Sequence, residues 1–180
     1  MALMQSVTLS LVFLPFTLFI GLWVALNDMR AMKIPNRAVL ALVAVWVLVG
    51  LGLVVSLSQG LPGMTLTDWG LGTALGIAVL VVLFIANMLN LMGAGDSKFG
   101  AAMAPFFLYA DLRLWTGLLA ASLLAAFVLH RILRAIPAMR RATPDWASWT
   151  HHKFPMGLAL AGMLNFYLLI APISSLLAGN

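Results

Sequence analysis

Two aspartates are the residues best placed to carry chemistry in this chain. The sequence holds five acidic residues, and two of them, Asp28 and Asp96, adjoin long apolar runs. An ionisable side chain in or beside a membrane span is costly, so it marks a functional site by default. Two carboxylates brought together share a proton, because both cannot ionise cheaply. One then acts as general base on water while the other polarises a scissile carbonyl. The pair predicts aspartic peptidase chemistry that needs no metal or organic cofactor.

The composition indicates the environment in which this chemistry would take place. The chain has 180 residues, of which 63% are hydrophobic and 8% are charged. A soluble domain of this size could not cover its surface with so few polar groups. We therefore expect an all-α polytopic membrane protein with a single domain spanning residues 1–180. The absence of cysteine excludes disulfides and thiolate metal sites. The net charge of +5 is better explained by orientation against an anionic leaflet than by a nucleic-acid partner.

Apolar length and flanking polar residues predict about six transmembrane helices, the fourth of them short. The segments lie at about 7–26, 38–57, 69–91, 99–110, 114–133 and 154–177. Most are long enough for a hydrocarbon core of about 30 Å. The fourth is not, and we expect it to be tilted or partly re-entrant and shielded by its neighbours. The first lacks a basic flank, so we expect a retained span rather than a cleaved signal peptide, which would remove Asp28.

The basic residues predict an orientation. With the N-terminus outside, only Arg113 faces out, and the cytoplasm-facing lysines and arginines are residues 30, 33, 37, 98, 131, 134, 140, 141 and 153. This asymmetry is a strong positive-inside signal. It puts Asp28 and Asp96 at matched depth, at the cytoplasmic ends of their helices. The basic segment 131–153 is expected to lie along the cytoplasmic headgroups, either anchoring the topology or closing over the site.

The residues around Asp96 allow two interpretations. Gly93 and Gly95 free the backbone of side chains and permit positive φ, so a substrate strand could approach the acid. Alternatively, the stretch is an ordinary turn in which Asp96 caps a helix. Lys98 either tunes the acids or extends to the headgroups.

Other polar and small residues have structural explanations. Pro35 and Asn36 are expected to shape the hinge that follows Asp28, because proline disfavours helix at the residue before it. Asp68 and Asp111 are expected to act as helix caps or loop charges. Gly72 and Gly76 would let another helix approach closely. The adjacent histidines 151–152 do not face one site on a helix, so we expect no metal there.

Three motifs in chain order resemble those of the type IV prepilin peptidases, which are membrane aspartic peptidases with a Gly-x-Gly-Asp motif. They are Asp28 followed by Arg30, Lys33 and Ile34-Pro-Asn36; Gly93-Ala-Gly-Asp96 followed by Ser97-Lys98; and Phe154-Pro-Met-Gly157. The resemblance covers essentially the whole chain. Ser97 and Phe99 depart from the family pattern at positions where aliphatic residues are usual, which affects access to the acids more than their chemistry.

The resemblance implies a catalytic pair, Asp28 and Asp96, with Gly93, Gly95, Lys98, Pro35 and Asn36 in support. It implies cleavage of prepilin leader peptides at the cytoplasmic face of a bacterial inner membrane, for type IV or Flp-type pilus or related secretion assembly. Larger relatives carry a cysteine-bearing cytoplasmic domain that N-methylates the product. This chain has no such domain, so it resembles the short branch without methyltransferase activity.

Two other functions remain open from the residues alone. A small proton-coupled transporter could use Asp28 and Asp96 as a relay, although the chain has no convincing internal repeat and both acids lie at one edge. A catalytically silent assembly subunit is the third reading. The expected partners are a prepilin-like protein and the lipid bilayer; the sequence sets no oligomeric state.

Overall fold

The computed structural model describes residues 6–151 and 153–179, and this part of the chain forms helices and no strands. The helices are α1 (Val7–Ala31), α2 (Asn36–Ser58), α3 (Leu66–Met88), α4 (Ala94–Met103), α5 (Leu112–Ala135), α6 (Pro137–Ala142) and α7 (Met156–Leu177). Short 3₁₀ turns follow α4, at Ala104–Phe107, and precede α7, at Ala147–Trp149.

Five of these helices, namely α1, α2, α3, α5 and α7, are long and apolar enough to cross a membrane. The prediction of an all-α polytopic membrane protein is therefore confirmed. The predicted short fourth segment corresponds to α4 and the 3₁₀ turn after it. It begins at Ala94 rather than near residue 99, so Asp96 lies inside a helix and not in the preceding break.

The short fourth segment runs antiparallel to α3. Gly100 packs against Leu83, whereas Pro105, further along, packs against Gly76 and Gly72 on α3. The pairing of later residues on one helix with earlier residues on the other defines the direction. Tyr109 then reaches Asp68, with which it forms a side-chain hydrogen bond near the start of α3. The segment therefore carries the chain from the end that holds Asp96 to the opposite end, despite its short length.

An aromatic cluster joins α1, α2 and the 3₁₀ turn after α4. The ring of Phe13 lies 5.1 Å from that of Phe106 and 5.9 Å from that of Trp46, and Trp46 lies 5.3 Å from Phe106. Trp46 belongs to a π-helical turn within α2, and its carbonyl accepts a hydrogen bond from the Trp69 indole at 3.3 Å. Such turns disturb the helical bonding pattern, and the Trp69 indole offers this carbonyl a partner from α3.

The helix ends differ in part from expectation. α1 continues through Asp28 to Ala31 and ends at Met32, whose φ of 53° is left-handed. The predicted hinge at 27–37 is thus shorter, and Pro35 ends it as the N-cap of α2. Asp111 caps α5 as predicted, accepting from the Leu114 amide at 2.7 Å. Asp68 lies in the first turn of α3, and Thr65 is the cap instead.

We predict that Gly72→Val destabilises the fold. A Cβ added at Gly72 would lie 2.5 Å from Cζ2 of Trp46 and 3.3 Å from the Pro105 carbonyl, so the core must shift. Overpacking of this kind costs about 1–3 kcal/mol. Gly70→Val is the matched control on the same helix, because an added Cβ there meets nothing within 4 Å. Thermal unfolding in detergent measures both; equal melting temperatures would contradict the packing role of Gly72.

Candidate active site

Asp28 is buried where α1 meets the start of α7. Only 4% of the residue is exposed, and its Oδ2 accepts a hydrogen bond from the Gly157 amide at 2.6 Å. Gly157 is the second residue of α7, and the first amides of a helix have no partner within the helix. The positive end of the helix dipole also favours a negative group there. The N-terminus of α7 thus holds the Asp28 carboxylate in place.

Glycine at position 157 makes this contact possible. A Cβ there would lie 3.0 Å from Oδ2 of Asp28 and 3.1 Å from Cγ1 of Val24. Both distances are tighter than ordinary van der Waals contact, so a larger residue would push α7 away from α1. Sequence reasoning had noted Gly157 only through the resemblance, and it missed the hydrogen bond to Asp28.

Asp96 lies in the first turn of α4. Gly93 is the N-cap, with φ of −67°, and Asp96 is the third helical residue after it. The alternative in which Asp96 itself caps the helix is therefore wrong. An acid in the first turn is still favoured by the helix dipole. A Cβ at Gly93 would lie 2.7 Å from Oδ2 of Asp96, so Gly93 leaves space that the carboxylate needs.

The two motif glycines permit positive φ but do not adopt it in this structure. Among the described residues, the non-glycine positions with left-handed φ near this end are Met32 and Asn90. Gly95 matters for space instead, since its added Cβ would lie 3.3 Å from the Cβ of Ile34. The absence of a side chain at Gly95 lets α4 approach the α1–α2 connection closely.

The two acids interact through their charges. Asp96 lies outside the five spanning helices, and its pKa is raised to about 6. Burial is the largest cause, the negative charge of Asp28 adds to it, and the positive charge of Lys153 opposes both. Residues far apart in sequence therefore meet at one end of the bundle, close enough for Asp28 to affect the protonation of Asp96.

The supporting residues predicted from the sequence connect neighbouring helices at this end. Lys98 Nζ lies 3.3 Å from Oδ1 of Asn36, which joins α4 to the start of α2 beside Pro35. Lys98 thus points toward α2, and Lys153 is the cation found to act on Asp96. Sequence reasoning assigned Lys153 only to the basic segment. Its position just before the Phe154-Pro-Met-Gly157 motif was the available signal.

The connection between α5 and α7 is folded against the bundle near the acids. Trp149 is buried, its ring stacks on His130 at 5.7 Å, and its Nε1 donates to the Thr143 carbonyl at 2.8 Å. His130 also meets Phe154 edge-on at 6.0 Å. The 3₁₀ turn Ala147–Trp149 packs on α1. The loop is therefore held against both α5 and α1 before the chain reaches Lys153.

Metal ligation was predicted to be absent. In residues 6–151 and 153–179, no group of three or more histidine, cysteine, aspartate or glutamate side chains is placed to hold a metal ion. His151 Nδ1 accepts from the Lys153 amide at 3.0 Å, while His152 lies outside the described residues.

An apolar groove of about 630 Å³ runs between α3, α4, α5 and α7. Met92 and Met156, which line it, each precede a glycine that contacts one of the two acids. Trp115, near the start of α5, lines it further away. The groove therefore leads from the acids toward the opposite end of the bundle. Its surface suits an apolar chain segment such as a hydrophobic helix.

Comparisons of the chain with protein-family models, with curated proteins and with solved structures gave no match. Any functional assignment therefore depends on the residues and geometry described above.

We predict that Asp96→Asn is more stable than the original protein at about pH 7.5 but not at about pH 4. The pKa of Asp96 in the fold, about 6, exceeds the ordinary 3.8. Between these values the folded state binds more protons than the unfolded state, so stability falls as pH rises. Asparagine does not ionise, so the Asp96→Asn variant does not lose this stability as the pH rises.

Melting temperatures of the purified protein across this pH range test the prediction. Asp145→Asn is the control, because Asp145 is exposed in the loop. A pH-independent difference between the Asp96 variant and the original protein would contradict it.

Proposed function

We propose that this chain is an integral membrane aspartic endopeptidase that cleaves prepilin-like leader peptides. The observation that carries the proposal is the electrostatic interaction of Asp28 with Asp96 at one end of a membrane bundle. Acids in or beside a membrane span are costly, and a pair close enough for the charge of Asp28 to raise the pKa of Asp96 suits proton sharing. The motif resemblance supplies the class of substrate.

The chemistry follows from the pair acting as a unit. One carboxylate removes a proton from a bound water, which attacks the carbonyl carbon of the scissile peptide. The other, protonated, donates its proton toward the carbonyl oxygen. Collapse of the tetrahedral intermediate breaks the C–N bond and returns a proton to the leaving amine. The Gly157 amide keeps Oδ2 of Asp28 oriented throughout, which leaves its second oxygen for water. The pair titrates jointly, so neither residue is assigned a fixed role.

The apolar groove supports a substrate with a hydrophobic helix next to the cut. A helix placed there would extend from the acids across the bundle, with its N-terminal flank at Asp28 and Asp96. Gly93 leaves the space that the Asp96 carboxylate needs beside Met92, which lines the groove. By the positive-inside rule, the basic residues at this end favour the cytoplasmic side, and the motif resemblance implies a bacterial inner membrane. The product is expected to stay unmethylated.

We predict that Asp28→Asn and Asp96→Asn each reduce cleavage of a co-expressed prepilin-like substrate by about a hundredfold or more. Each variant removes one half of the proton-sharing pair. Mass spectrometry of the substrate's new N-terminus measures the cut and the absence of a methyl group. Asp145→Asn, which changes an exposed acid in the loop, should cleave normally.

Undiminished cleavage by either variant would remove that residue from the mechanism. Expression and melting temperature of each variant exclude simple loss of the folded protein as the cause.

We further predict that Lys153→Gln moves the pH–activity profile toward higher pH. The ammonium of Lys153 lowers the pKa of Asp96, so its removal raises that pKa. The limb of the profile that reports ionisation of the pair should therefore shift to alkaline pH. Lys153→Arg keeps the charge and should leave the profile in place. A loss of rate with an unchanged profile would exclude electrostatic tuning by Lys153.

A proton-coupled transporter is the second candidate, favoured by buried polar side chains along the α1–α7 contact. Ser10, Thr17 and Asn165 are buried there, and Asn165 Nδ2 donates to the carbonyls of Ala161 at 2.9 Å and Thr17 at 3.3 Å. These groups extend the polar character of α1 away from Asp28. Asp28-dependent proton flux into liposomes, without any substrate cleavage, would support this function over the peptidase.

A further inference from the structure

A basic pocket lies where α5 ends and α6 begins, apart from the two acids. It has a volume of about 600 Å³, within the usual range of small-ligand sites. Arg134, Arg140 and Arg141 line it together with Pro137, Pro144 and Trp149. No carboxylate is among the residues that line it in the described part of the chain. Three arginines thus line one concave surface whose lining contains no acid; the nearest acid in the sequence, Asp145, follows Pro144 in the loop.

The backbone brings these arginines together. Arg134 lies in the last turn of α5, and α6 starts immediately after Ile136, with Pro137 at its first position. Ile136 is extended, with ψ of 111°, so the chain bends and α6 does not continue the direction of α5. The bend places Arg140 and Arg141 on the same pocket as Arg134. Gathering like charges is unfavourable unless an anion is bound.

The floor of the pocket is rigid. Trp149 is 3% exposed, and its Nε1 donates to the carbonyl of Thr143 at 2.8 Å and to the hydroxyl of Thr143 at 3.2 Å. Its ring is stacked between Trp146, at 5.5 Å, and His130, at 5.7 Å. A fixed floor lowers the ordering cost of binding. By contrast, α6 has no buried residue, so the protein itself does not cover it.

We propose that this pocket binds the phosphate of an anionic phospholipid headgroup. Guanidinium groups match phosphate oxygens with paired hydrogen bonds. The pocket lies at the end of a membrane-spanning helix, where lipid phosphates are found, and basic pockets between membrane segments at this level bind anionic headgroups. Exposed Ile132 and Leu129 on the adjoining turns of α5 offer an apolar surface for the acyl chains. The proposal does not depend on the peptidase function.

Native mass spectrometry of the purified full chain, titrated with phosphatidylglycerol, phosphatidylcholine or inorganic phosphate, tests this site. We expect one phosphatidylglycerol to bind more tightly than phosphatidylcholine. Arg140→Gln combined with Arg141→Gln should weaken that binding by about tenfold or more. Arg134→Gln is a second, independent variant that should also weaken it. The control combines Arg30→Gln with Arg37→Gln, which removes the same charge from the same end of the bundle, outside the pocket, and should change binding little.

Three results would overturn the proposal. Equal losses in the pocket and control variants would mean a general charge effect. Equal binding of phosphatidylcholine would exclude recognition of an anionic headgroup. Displacement of phosphatidylglycerol by inorganic phosphate at similar concentration would define a site for the free ion rather than for a lipid. Circular dichroism and melting temperature confirm that each variant is folded, which is expected because all five substituted arginines are exposed.

Discussion

The antiparallel contact between α1 and α7 is the constraint on which the site depends. Two glycines make it close: Gly21 faces Asn165 and Ala161, and Gly157 faces Asp28 and Val24. The approach brings the unpaired amide of Gly157 to the Asp28 carboxylate. In an apolar setting each group would otherwise lack a partner, at a cost of several kcal/mol. Packing of two glycine surfaces therefore makes a buried acid tolerable, and the acid in turn helps to hold the helices together.

Asp96 is positioned in a different way. The described side-chain hydrogen bonds include none between Asp96 and Asp28, and the two interact through charge. The position of α4 is set instead by its packing on α3, where Pro105 lies against Gly72 and Gly76, and by the contact of Lys98 with Asn36. The distance between the acids thus depends on how two helix pairs, α1–α7 and α3–α4, sit together. A small shift of one helix pair relative to the other would change the electrostatic interaction of the two acids while leaving the packing within each pair intact.

The sequence was informative wherever a single residue type had one physical use. Long apolar runs predicted the spanning helices, Asp111 predicted a cap, and the Gly72–Gly76 spacing predicted close packing. Prediction from the sequence failed where one residue type has several possible structural roles. Glycine permits positive φ and also permits close approach, and at Gly93 and Gly95 only the second applies. Lys153 and Gly157 act on acids that lie about 60 and 130 residues away in the chain, and the motif beside them does not show which distant residues they meet.

The uneven distribution of positive charge has more than one physical role. Such asymmetry orients a membrane protein, and that explanation requires no particular contact. Here, however, the cations at the acid-bearing end differ in their surroundings: Lys98 bonds to Asn36, Lys153 acts on Asp96, and Arg134, Arg140 and Arg141 line one pocket. The positive-inside signal would be equally strong if the same number of basic residues stood at other positions at this end. The interactions of Lys98 and Lys153 and the arginine lining of the pocket would then be lost. The positions of the basic residues, beyond their number, therefore determine both the electrostatics at Asp96 and the basic lining of the pocket at the end of α5.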